Sequence, residues 1–178
     1  MAAATPARII LIRHAEKPGE TKTQAVSDDA VADTGLAPRG AYRAGAYAAY
    51  FDPKRSGGLY PAIEHIFATK ATAHSNRPVL TVTPLAAALG KKIHDQFDDK
   101  PAGISGLAAE LLGGNYAGEV ILVCWHHGTL PDVVKALGYP NPPKIAETAF
   151  DLVWTLAYEG GAPSPSFTQV QQNLMYGD

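Results

Sequence analysis

Short apolar runs rich in β-branched residues alternate along this chain with longer segments of helical spacing. The first run spans about Ala7 to Ile12, around Ile9-Ile10-Leu11-Ile12. Others cover Ile63 to Ala68, Val120 to Trp125 and Phe150 to Tyr158. Runs of this length read as buried strands. Between them, Gly35 to Ala44 opens a helix with Pro38 in its first turn, and Pro53 and Gly57-Gly58 close it. Leu36, Tyr42, Ala46, Ala49 and Tyr50 approximate one stripe of that helix. Further helices are expected over Arg77 to Leu89, Ile104 to Leu112 and Pro131 to Leu137, stopped by Gly90, Gly113-Gly114 and Gly138. Strands alternating with helices predict a three-layer α/β/α sandwich with a mostly parallel central sheet.

Three polar stretches interrupt the pattern. Residues 17–34 are too long and polar for a simple connection and are expected to form a flap at the mouth of a site. Lys91 to Pro101 carries His94, Asp95, Asp98 and Asp99. Residues 160–178 are expected to be a C-terminal tail wrapping the surface. The 178 residues fit a single domain.

Chemistry concentrates where two of the apolar runs stop. Arg13-His14-Ala15-Glu16 follows the first, and His126-His127-Gly128-Thr129 follows the Val120 run. In open α/β sheets, ligands bind beyond the carboxyl ends of the strands. If the two strands are neighbours, His14 and His127 converge on one site. Two imidazoles and guanidinium forks suit a phosphoryl group, because arginine grips phosphate bidentately. His14 is the candidate nucleophile, and a carbonyl bonded to its other ring nitrogen would fix its tautomer. A buried Arg13 needs a partner, and a bound phosphate is one. Gly128 lets backbone approach closely, Thr129 precedes a helix start, and Lys17 can reach substrate from the flap. Adjacent residues of an extended strand point to opposite faces. His126 and His127 are therefore not expected to share a metal ion, and no metal or cofactor is called for.

Charge and composition remove other functions. Net charge is −2, which points away from nucleic acid and anionic membranes. No apolar run approaches a membrane span. Nothing resembling a secretory signal precedes the first strand, so a cytoplasmic protein is expected. The one cysteine, Cys124, lies inside a strand and reads as a core residue. Trp125 and Trp154 read as core or pocket wall.

Arg13-His14-Ala15-Glu16 after an apolar strand, with a late His127-Gly128, resembles the histidine phosphatase superfamily with its phosphoglycerate-mutase-like fold. Leu36 to Ala44 resembles the family's helix-opening segment, and Arg77-Pro78-Val79-Leu80-Thr81 its second arginine followed by threonine. The resemblance spans about residues 7–137. It implies transient phosphorylation of His14, in a phosphate pocket made by Arg13, Arg77 and His127.

Two departures stand out. The Ser-Pro pair expected before the arginine is replaced by a longer stretch, Thr69 to Asn76, which leaves Lys70 as a fallback cation. No family acid motif is evident, and Gly128 stands where some members carry aspartate. Candidate acids are Asp95, Asp98, Asp99, Glu16 and His126. A weak acid would favour substrates with good leaving groups, such as phosphoramidates. The expected activity is a phosphatase for a small phosphorylated substrate or a phosphoprotein. A phosphoglycerate-mutase-type transferase and a non-catalytic phosphate-binding domain are the alternatives.

Overall fold

The computed structural model describes residues 5–19, 34–162 and 164–178. Its strands are β1 (Arg8–Arg13), β2 (His65–Ala68), β3 (Ile93–His94), β4 (Val120–Trp125), β5 (Leu152–Ala157) and β6 (Ser166–Gln171). Its helices are α1 (Pro38–Tyr50), α2 (Arg77–Leu89), α3 (Pro101–Leu112) and α4 (Leu130–Ala136). One sheet runs in the order β3-β2-β4-β1-β5-β6. The first four of these strands are mutually parallel, while β5 and β6 are antiparallel to their neighbours.

The central strands alternate, and each face takes its own pair of helices. Ile9 and Leu11 of β1 join Ile121, Val123 and Trp125 of β4 against Leu107 and Leu111 of α3 and Val133 and Val134 of α4. Ile10 and Ile12 join Leu122 and Cys124 against Tyr47 of α1, the adjoining Phe51, and Val82 and Leu85 of α2. Both faces of β1 and β4 are dry, which is why their sequences are continuous apolar runs. Burying each such side chain contributes roughly 1.5–3 kcal/mol. Burial raises the Cys124 thiol pKa far above its usual range, consistent with a core residue.

The helix limits follow local chemistry. Each of the four has proline in its first turn, where no N–H is missed. Gly90 ends α2 in the left-handed region, with φ of 63°. Gly40 lets α1 press against the chain after β1. A Cβ there would sit 2.3 Å from the Glu16 carbonyl oxygen.

Three expectations need correction. The polar stretch after α2 contains the two-residue edge strand β3, too short to register as a run. Helix α3 begins at Pro101 rather than Ile104. The supposed tail contains β6, whose Ser-Phe-Thr-Gln-Val-Gln sequence is largely exposed and so lacks an apolar signature. The flap expectation falls mostly on residues 20–33, outside the described residues. Among the described residues, no helix is long and apolar enough to cross a membrane.

Candidate active site

Strands β1 and β4 are direct neighbours, in register from Arg8 opposite Val120 to Arg13 opposite Trp125. The pairing continues one step further, with the His14 amide donating to the Trp125 carbonyl at 3.1 Å. The two histidine-bearing segments therefore leave the sheet side by side, at the carboxyl ends of parallel strands.

His14 is fully buried. Its ring packs edge-on to His126 with centroids 5.4 Å apart, and lies 6.3 Å from the Phe150 ring. Nδ1 is 2.8 Å from the Ala15 carbonyl oxygen. A carbonyl can only accept, so Nδ1 carries the proton and the lone pair of the neutral ring resides on Nε2.

The backbone around this contact is anchored. The Ala15 amide donates to Thr81 Oγ1 at 2.9 Å, and that hydroxyl donates to the Arg77 carbonyl at 2.8 Å. Thr81 is fully buried and ties the first turn of α2 to the end of β1. The four-residue spacing of Arg77 and Thr81 puts this hydroxyl within reach of its own helix turn.

Both arginines are buried. Arg77 donates from Nε to the Gly35 carbonyl at 3.1 Å and from Nη1 to Ser75 Oγ at 3.3 Å. Arg13 donates from Nη1 to the carbonyls of Glu147 and Ala149, and its guanidinium lies 3.7 Å from the centroid of the Phe150 ring. Protein groups thus share in compensating the charge that sequence reasoning assigned to phosphate alone.

A cavity of about 440 Å³ is lined among others by Thr69, Lys70, Ser75, Asp99, His126 and His127; His14, Arg13 and Arg77 are not in its wall, and His14 and Arg77 adjoin it through His126 and Ser75. Gly128 and Thr129 complete the wall along the β4–α4 turn. Both histidines reach it because the chain stops being extended at His126, whose carbonyl accepts from the amides of Thr129 and Leu130. The opposite-face argument holds for a strand and fails at this turn. Thr69 and Ser75 were not foreseen as site residues. Each is a small hydroxyl residue in the stretch between β2 and Arg77, and only the fold brings that stretch to the histidines.

The acid candidates are separated by position. Glu16 is buried and ion-paired with Arg43 and Arg39, at 2.8 and 3.0 Å, so it is not placed as a proton donor. Asp98 accepts from the Lys100 amide at 3.2 Å, at the start of α3, and is spent on that turn. Asp95 is exposed, just past β3, away from the cavity. Asp99 and His126 line the cavity. Lys17, expected to reach substrate from the flap, is almost fully buried.

No family model matches the sequence, and no curated protein matches it significantly. Solved structures do. The protein histidine phosphatase SixA, complexed with tungstate, superposes with a TM-score of 0.61 at 16% identity, covering 93% of this chain and 97% of that one. The chain shares the fold of that histidine phosphatase. Two further histidine phosphatase folds, proposed to be phosphohistidine phosphatases SixA, come from Nakamurella multipartitia and Agrobacterium tumefaciens. The first gives a TM-score of 0.55 at 21% identity over 94% of this chain and 96% of that one. The second gives 0.53 at 17% over 93% and 96%. The match to these folds thus extends over nearly all of both partners.

Proposed function

We propose that this protein is a phosphatase that hydrolyses a phosphomonoester or phosphoramidate through a phosphohistidine on His14. The observation that carries the reading is the Nδ1 contact to the Ala15 carbonyl, which leaves the lone pair on Nε2 beside His126. Supporting it are the two buried arginines near the same strand ends and the tungstate, a tetrahedral oxyanion, held by a protein of the same fold.

In the first step Nε2 attacks phosphorus. An N–P bond forms, and the bond from phosphorus to the leaving oxygen or nitrogen breaks. Arg13, Arg77 and His127 spread the charge on the equatorial oxygens, with Lys17, Gly128 and Thr129 contacting the remainder of the substrate. Charged hydrogen bonds of this kind contribute roughly 1.5–3 kcal/mol each. The leaving group takes a proton from His126 or Asp99, a step that contributes about 10²–10⁴-fold. Water then attacks the phosphohistidine, passing a proton to the same His126 or Asp99 that protonated the leaving group; the N–P bond breaks, inorganic phosphate departs and Nε2 regains its lone pair. No cofactor or metal ion enters these steps, and turnover is expected to be unchanged in a chelator. The single buried cysteine accords with a reducing, cytoplasmic setting.

Incubation with a labelled phosphoryl donor is expected to give acid-labile, base-stable labelling that His14→Ala abolishes. Labelling that persists in His14→Ala overturns the assignment. The proton donor is resolved by comparing p-nitrophenyl phosphate with an alkyl phosphate. Losing the donor, by His126→Gln or Asp99→Asn, is expected to cost the alkyl ester at least tenfold more than the aryl ester.

A further inference from the structure

Glu16 lies two residues after His14, and its carboxylate is engaged by two guanidinium groups. It accepts from Arg43 Nη2 at 2.8 Å and Nε at 3.1 Å, and from Arg39 Nε at 3.0 Å. The Arg43 side chain is 1% exposed. Its other edge meets Asp178, Nη2 to Oδ1 at 2.7 Å and Nη1 to Oδ2 at 3.0 Å. Arg39 Nη2 adds a contact to the same Oδ1 at 2.9 Å. Two carboxylates and two guanidinium groups thus neutralise one another, Arg43 buried among them and Arg39 partly exposed, with Asp178 also accepting from the amides of Leu174 and Met175. A fork locked by two carboxylates loses little further freedom in holding either.

The backbone at Glu16 is pinned from the same side. Its carbonyl accepts from the Ala37 amide at 2.9 Å, just before α1. One residue earlier, the Ala15 amide is held by Thr81. Between these anchors lies the Ala15 carbonyl, the group that accepts from His14 Nδ1. Turning the Ala15–Glu16 peptide would withdraw that acceptor. The imidazole would then be free to carry its proton on Nε2, the nitrogen that must attack.

We infer that Arg43 and Asp178 are positioning residues for His14, holding Glu16 so that the Ala15–Glu16 peptide keeps its carbonyl on Nδ1. This rests on His14 being the nucleophile. The chain of contacts is Asp178 to Arg43, Arg43 to Glu16, and Glu16 through one peptide to the ring.

The test uses the full chain with Asp178→Asn, which keeps the shape and removes the charge, and with Arg43→Lys, which keeps the charge and removes the fork. Long-range ¹H–¹⁵N spectra report the His14 tautomer. Steady-state turnover of p-nitrophenyl phosphate is measured well below each variant's melting temperature. The parent is expected to show the Nδ1–H form. Each folded variant is expected to show a growing share of Nε2–H, with kcat lower by roughly tenfold and KM within about twofold. A network that only stabilises the fold would leave the tautomer and kcat of folded protein unchanged, and that result overturns the inference. If Asp178→Asn does not fold, Arg43→Lys carries the test. If the parent shows no turnover, the phosphatase reading fails, and the tautomer alone decides whether the network positions the ring.

Discussion

An imidazole serves as a nucleophile only when its proton sits on the nitrogen that does not attack. For the nucleophile proposed at His14, that condition is met through one carbonyl, that of Ala15, and the groups that hold it. Thr81 is the nearest of them. Thr81→Val preserves shape but leaves the buried Ala15 amide without its acceptor, which is expected to cost about 1–3 kcal/mol. Urea unfolding of the two proteins measures it, and an unchanged midpoint would show that the Ala15 amide finds another partner. At this scale, the strand-end residues Arg13, His14 and His127 were legible because apolar runs stop abruptly before them. Glu16 was not. Its partners Arg43 and Asp178 lie on α1 and beyond β6, and only folding brings the three together. Asp98 shows the related ambiguity: an aspartate just ahead of a helix can accept from the backbone two residues on, as Asp98 does from the Lys100 amide, as readily as it can serve chemistry.

Among the elements, α1 is the one whose placement matters most to the site. Gly40 sets its approach, since any Cβ would collide with the Glu16 backbone rather than with a flexible side-chain tip. Gly40→Ala is expected to destabilise the protein by about 1–3 kcal/mol or more, because neither α1 nor the Glu16 strap can yield alone. Thermal melting monitored by circular dichroism checks this. Gly45, on the same helix with open space around it, is the control, and Gly45→Ala is expected to be neutral or stabilising. The strands β1, β2, β4 and β5 and all four helices could be read from spacing and proline–glycine punctuation. The strands β3 and β6 could not. One has only two residues, and the other presents polar side chains on both faces, so no periodicity separates it from loop. Register pairs such as Trp154 opposite Gln169, joined by a 2.7 Å hydrogen bond, become visible only after folding.

For the molecule as a whole, the Glu16–Arg43–Asp178 cluster ties the segment after β1 and helix α1 to the segment after β6, which makes stability sensitive to acid. Burial alone would raise the Asp178 carboxyl pKa. The Arg43 guanidinium and the Met175 amide outweigh it and hold the pKa at about 2, below the ordinary 3.8. A carboxyl depressed on folding adds stability that is complete above about pH 5 and fades as pH falls toward the folded value. Asp178→Asn is therefore expected to cost about 2 kcal/mol at pH 7, with the difference shrinking between pH 5 and 2. Denaturant midpoints for both proteins at pH 7, 4 and 2.5 test it. A gap that stays constant with pH would mean the charge of Asp178 is not what stabilises.

The same sheet order that sets the histidines at its middle also decides what its margins offer to other molecules. At one border stands a strand of only two residues. At the other runs a ribbon of serine, threonine and glutamine, with Val170 as its most exposed large apolar side chain. Unsatisfied backbone groups along a sheet's rim can recruit strands from other chains, and brevity or polarity there discourages such recruitment. Self-association into fibrils or swapped dimers by rim-to-rim pairing is accordingly disfavoured, and the greasy central strands stay shielded so long as β3 and β6 remain in place.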